Sequence, residues 1–139
     1  MRVSRAAYSN LRWAFAKGII RMGTIKSFRE LEIWRKGIDL VKEVYRVTEG
    51  FPKSELYGLT AQMRRCAVSV PSNVAEGFRR WHAKEFKQFL NIALGSCAEL
   101  ETQVVIAREL KYVASEEEDR VLELIDHISR MATNLMKRL

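Results

Sequence analysis

From Ser27 onward, apolar residues recur at alternating steps of three and four, the spacing that gathers them on one face of an α-helix. Leu31, Trp34, Ile38, Val41, Tyr45 and Thr48 make the first such stripe and predict a helix over 28–49. Ser27-Phe28-Arg29-Glu30 at its start has the form of a capping box, and Gly50 with Phe51-Pro52 at its end is a stop signal. Leu56, Leu59, Met63, Cys66 and Val70 continue the period after Ser54, a candidate cap. A third stripe runs through Phe86, Leu90, Ala93, Cys97, Leu100, Val104 and Ala107. The fourth is Val121, Leu124, Ile128, Met131 and Leu135. It follows Ser115-Glu116-Glu117-Glu118, a second capping box whose acids suit the positive end of a helix.

One stretch resists this reading. "MRRCAVSVPSNVAEGFRR", residues 63–80, keeps the apolar rhythm but carries a proline and small polar residues at its centre. Length decides how to take it. The first, third and fourth helices would each be about 33–42 Å long, and the second reaches about 39 Å only if it runs unbroken from 54 to 79. A break at Pro71 would leave half of it without a neighbour, so the proline is read as a kink inside one long helix. It frees the Ala67 carbonyl at a cost of ~3 kcal/mol, which Ser69, Ser72 and Asn73 are placed to offset. Four long amphipathic helices with short connections predict an all-α fold, an antiparallel up-down-up-down four-helix bundle. Ala93, Gly95, Ser96 and Ala98 mark a waist on the third helix where another backbone can come close.

Composition fits a single globular domain: 139 residues, 47% of them hydrophobic and 29% charged. Two prolines and seven glycines are too few for the turns of an all-β fold. Cys66 and Cys97 form neither a disulfide scaffold nor a metal-type spacing, and a cytoplasmic location is expected. No apolar run reaches the roughly 20 residues that span a bilayer.

The net charge of +7 is unevenly placed. Residues 1–26 carry Arg2, Arg5, Arg12, Lys17, Arg21 and Lys26 and no acid, whereas the remainder holds 18 basic and 17 acidic side chains. The chain therefore divides into a basic N-terminal extension, 1–26, disordered or helical, and a bundle domain, 27–139. The extension is either an amphipathic arm with Leu11, Phe15 and Ile19 on one face, or sequence upstream of a start at Met22. Within the body, 53–87 has seven basic residues against three acidic, and 88–139 six against nine.

Catalytic arrangements are not expected. A di-metal carboxylate bundle needs Glu-x-x-His pairs, and neither His82 nor His127 has a glutamate three residues before it. Cys66 and Cys97 fall on apolar heptad positions, as buried inert thiols do. Gly77 and Gly95 are isolated, so there is no phosphate loop. Glu76, Glu99 and Glu101 could hydrogen-bond polar groups near the proline as a buried network. The chain reads as a non-enzyme without metal or cofactor.

The basic cluster is the candidate site. Arg64, Arg65, Arg79, Arg80, Lys84 and Lys87 lie at the two ends of the proline helix and the start of the next, with Trp81 and His82 among them. Such cations neutralise phosphates, and an exposed indole would stack on an unpaired base. The alternative is a solvated charged face with the tryptophan sealing the bundle end.

"FRELEIWRKGIDL", "FPKSELYGLTAQMRRCAVSVPSNVAEGFRR", "KEFKQFLNIALGSCAELETQ" and "ARELKYVASEEEDRVLELIDHISRM" resemble, in that order, the 23S rRNA-intervening sequence proteins, over about 28–139. The resemblance implies a bundle that assembles as a homopentamer with a central channel. It also implies kinship with the accessory variability determinant of diversity-generating retroelements, whose pentamers bind nucleic acid and a reverse transcriptase through basic surfaces. On that basis the six cations become contacts to structured RNA or an RNA–DNA hybrid. The rival expectation is a scaffold that recruits a protein, such as a reverse transcriptase or a ribosomal component, without touching nucleic acid.

Overall fold

A computed structural model describes residues 27–139. The N-terminal extension, and with it the arm and the start at Met22, lies outside the described residues. Four helices follow one another: α1 (Glu32–Thr48), α2 (Leu59–Arg79), α3 (Ala83–Glu109) and α4 (Ser115–Arg138), with 3-10 turns at Phe28–Glu30 and Lys53–Glu55. Each packs on the next and α4 packs back on α1, which closes an antiparallel four-helix bundle with no strand among the described residues.

The core is built from the inward face of every helix. Leu40, Val44, Met63, Val70, Val74, Leu90, Leu100, Val104, Val121 and Ile128 are fully buried, each worth about 1.5–3 kcal/mol of transfer free energy. The whole predicted stripe of α3 is inside. In α1 the ends of the predicted stripe, Leu31 and Thr48, are buried, but between them the buried line is the adjacent one, Ile33, Gly37, Leu40, Val44 and Val47. Trp34 and Val41 flank the core half-buried, and Tyr45 is exposed. The α1 surface carries two neighbouring apolar stripes, and the glycine on the buried one makes it look the weaker of the two.

The helix starts also differ from expectation. Ser27 Oγ accepts from the Arg29 N–H at 3.2 Å, but this caps the 3-10 turn, and α1 begins only after an extended Leu31. The predicted start of α2 at Ser54 is a separate 3-10 turn. The Glu55 carboxylate, reaching forward 2.9 Å to the Leu59 N–H, holds the true start. At α4 the N-cap is Ala114, one residue earlier than expected. Only the carboxylate half of the box forms, with Glu117 accepting from the Ala114 N–H at 3.0 Å.

These shifts leave α2 about 31 Å long and α3 about 40 Å, so the length match that favoured continuity through Pro71 is absent. Continuity holds all the same: α2 runs from Leu59 to Arg79 with Pro71 inside it and buried. Its packing explains why. A methyl group on Gly37 would lie 3.0 Å from Pro71 Cβ, so the ring fills the space that α1 leaves open at its glycine. Ser69, Ser72 and Asn73 donate to the carbonyls of Cys66, Val68 and Ser69, not to that of Ala67. Their bonds lie on the turns on either side of the proline.

The close approach expected at Gly95 lies elsewhere. A Cβ on Gly95 would meet nothing within 4 Å, whereas one on Gly77 would lie 2.6 Å from Phe89 Cβ. Gly77 is thus where α2 and α3 converge. No unbroken apolar run reaches 20 residues among the described helices, although by length and mean composition α3 has one window, of mean hydropathy 1.2, that could cross a membrane. Charged residues lie toward both ends of the helix, at Lys84, Glu85 and Lys87 and at Glu99, Glu101, Arg108 and Glu109.

Candidate nucleic-acid interface

The six predicted cations do not form one patch. The length of α2 separates them into two groups: Arg65 and Arg79 stand about 21 Å apart along its axis. Arg64 and Arg65 lie near its start, while Arg79, Arg80, Lys84 and Lys87 gather around the α2–α3 turn.

At the start of α2, Arg64 is half-buried and spoken for. Its Nε donates to Thr48 Oγ1 at 2.9 Å and its guanidinium lies 4.5 Å over the Tyr45 ring. Arg65 beside it is exposed. An open groove of about 570 Å³ runs here between α1 and α2, lined by Tyr45, Leu56, Tyr57, Ala61 and Val68 with the two arginines.

At the other end, aromatic rings position both arginines. Arg79 lies 5.4 Å over Phe28, and Arg80 lies 5.2 Å over Phe89 while pairing with Glu76 at 3.1 Å. A guanidinium held on a ring face still presents its N–H edge outward, the geometry for bidentate contact with a phosphate. Lys84 and Lys87 on the first turns of α3 are exposed and make no ion pair among the described residues. A second open groove, about 600 Å³, separates Phe28 from Ser72, Ala75 and Arg79, with Glu76 as its one acid. Phe28 and Phe89 escaped the sequence reading as supports for the arginines. Each lies off the buried stripes, and that was the available signal.

Trp81 takes the other of its two predicted roles. It stands in the left-handed region at φ 61, the position that ends α2, with its ring packed 5.3 Å from Phe78. The indole seals the bundle end and is not free to stack on a base. His82 is exposed and extended, and its carbonyl accepts from the Phe86 N–H at 2.8 Å to open α3.

The remaining candidates are structural. Burial, reinforced by the Glu99 carboxylate, pushes the Cys66 thiol up to about 12, and burial pushes Cys97 up to about 11. A nucleophile needs the opposite shift. Cys66 Sγ donates to the Ser96 carbonyl at 3.0 Å, and Ser69 and Ser96 hydroxyls meet at 2.5 Å, so the polar link between α2 and α3 is made of hydroxyls and a thiol. Of the three glutamates expected there, Glu76 and Glu101 are exposed, and only Glu99 reaches the link, beside Cys66, while accepting from Gln103 Nε2 at 3.2 Å. Asp126 beside His127 is held by Arg130, which lowers its carboxyl below the ordinary range. Among the described residues no three His, Cys, Asp or Glu side chains come together as a metal site.

Fold and surface define a small all-α bundle protein with a cationic turn at one end. The sequence model of the 23S rRNA-intervening sequence proteins matches residues 29–134, most of the chain, and the protein belongs to that family. Comparison with curated proteins returns no match.

Proposed function

We propose that this chain is a non-enzymatic, cytoplasmic protein that binds nucleic acid, structured RNA or an RNA–DNA hybrid, through the cations of the α2–α3 turn. It does so as a ring-like homopentamer, with α2 kinked at Pro71. The observation that carries the reading is the arrangement of Arg79, Arg80, Lys84 and Lys87 at one end of the bundle, with both guanidinium groups supported on aromatic rings. Membership of a family named for an rRNA insertion supports RNA as the polyanion. Repetition of the turn around a ring would multiply its effective charge.

The test is fluorescence anisotropy of the full chain with an RNA hairpin, a DNA duplex and a hybrid, titrated with salt. Arg79→Glu with Arg80→Glu should weaken binding by tenfold or more. It should also flatten the salt dependence, by about 0.9 for each duplex-DNA phosphate no longer neutralised. Unchanged affinity and slope would sink the turn as the site. The scaffold that recruits a protein, such as a reverse transcriptase or a ribosomal component, would then be the reading to pursue.

A further inference from the structure

A bundle helix needs an apolar face only toward its neighbours, and a helix apolar all round calls for burial all round. α3 carries apolar residues well outside its buried stripe, and only 33% of its most apolar window is buried within the chain. Ile92, Val105, Ile106 and Leu110 stand 51%, 43%, 44% and 51% exposed along it, and Gly95 opens onto empty space. A second apolar surface lies across the molecule in the α1–α2 groove, where Leu56 is 50% and Tyr57 92% exposed.

The two surfaces are complementary in charge. The later half of α3 carries exposed Glu99, Glu101 and Glu109 against one exposed base, Arg108, and the groove carries Arg64 and Arg65. They also lie at the same end of the bundle. The first half of α2 meets the middle of α3 through Cys66 and Ser96, and Tyr112, just past α3, hydrogen-bonds Glu55, just before α2, at 3.4 Å. Rotation about an axis parallel to the bundle keeps height along that axis, so it can bring one surface onto the other. Because the two patches differ, the contact is head-to-tail, the kind that closes into a ring.

We infer that the outer face of α3 in one copy docks into the α1–α2 groove of the next, with its glutamates against Arg64 and Arg65. The inference rests on the self-assembly proposed above. It assigns Arg64 and Arg65 to the contact between copies and leaves polyanion binding to the four cations of the α2–α3 turn. A bilayer suits the α3 face less well, because its three acids would meet anionic headgroups.

Light scattering coupled to size-exclusion chromatography of the full chain tests the contact. Ile106→Asp and Tyr57→Asp alter exposed positions, and each should reduce the assembly to a single 16.1 kDa chain with unchanged helical circular dichroism. A head-to-tail contact makes a further demand. The first variant keeps its groove and the second keeps its α3 face, so an equal mixture should form a dimer of the two. Leu110→Arg serves in place of Ile106→Asp should that variant lose helicity. A monomeric parent, a variant that keeps the parent mass, or a mixture that stays monomeric would each overturn the inference. So would parent protein that stays monomeric but pellets with vesicles containing phosphatidylserine. A monomeric parent would sink the self-assembly itself, whereas an assembled parent whose variants keep its mass would sink this contact alone, and the anisotropy test of the α2–α3 turn reads neither.

Discussion

Gly37 of α1 faces Pro71 of α2 so closely that an added methyl group would lie 3.0 Å from the proline Cβ and 3.3 Å from its Cα. One of those atoms is backbone, so the contact cannot be relieved by turning a side chain. Alanine at position 37 gains about 1 kcal/mol in helix propensity but overpacks the contact at a cost of about 1–3 kcal/mol. Gly37→Ala should therefore lower the thermal midpoint by several degrees in a circular dichroism melt. A raised midpoint would mean that α1 and α2 can part at no cost, and the account of Pro71 would fail.

Glu43 ties α1 to α4. It is 18% exposed, lies 3.1 Å from Arg120, and is also bonded by Arg46 on its own helix. Arg46 first, and then Arg120, hold its carboxyl below the ordinary glutamate range. A carboxylate with a lowered folded-state pKa adds stability that is present above the unfolded value and lost as pH falls through the folded one. Glu43→Gln should cost about 0.5–1 kcal/mol at neutral pH. The gap between the two proteins should close on acidification below the ordinary glutamate range. Urea unfolding at pH 7 and at pH 3 measures both, and a gap that persists at pH 3 would assign the effect to packing.

Cys66 and Cys97 should resist alkylation in the folded protein. With thiols pushed up to about 12 and about 11, almost no thiolate exists near neutrality. Their raised values also set an alkaline limit. Stability is intact below the unfolded thiol value of about 8.5 and declines as pH rises toward the folded ones. Iodoacetamide labelling followed by mass spectrometry should find both thiols unmodified without denaturant and modified with it. Rapid labelling of the native protein at Cys66 would contradict its burial.

The fold was legible because the 3.6-residue period is long and consistent, and α3 was readable position by position from Phe86 to Ala107. Between Leu31 and Thr48, α1 was misread by one stripe, because Trp34 and Val41 look more apolar than the line that holds Gly37. Whether a glycine is tolerated or required depends on what faces it, here Pro71 of another helix. The candidate site was half legible. Residue type and helix position marked the cations at the two ends of α2, but the rings and hydroxyl that hold Arg64, Arg79 and Arg80 could not be read from the stripes. Trp81 could not be read either, since its role follows from a left-handed backbone that its residue type does not favour.

The order of packing, each helix on the next with α4 closing on α1, also governs how the chain reaches this state. Nearly every docking partner is the adjacent segment, and the α1–α4 seam alone waits for the whole chain. Low contact order of this kind places folding on the microsecond-to-millisecond scale. The α2–α3 hairpin, drawn together at Gly77 and Phe89, is where a nucleus would form at least entropic cost, with the Glu43–Arg120 seam closing last.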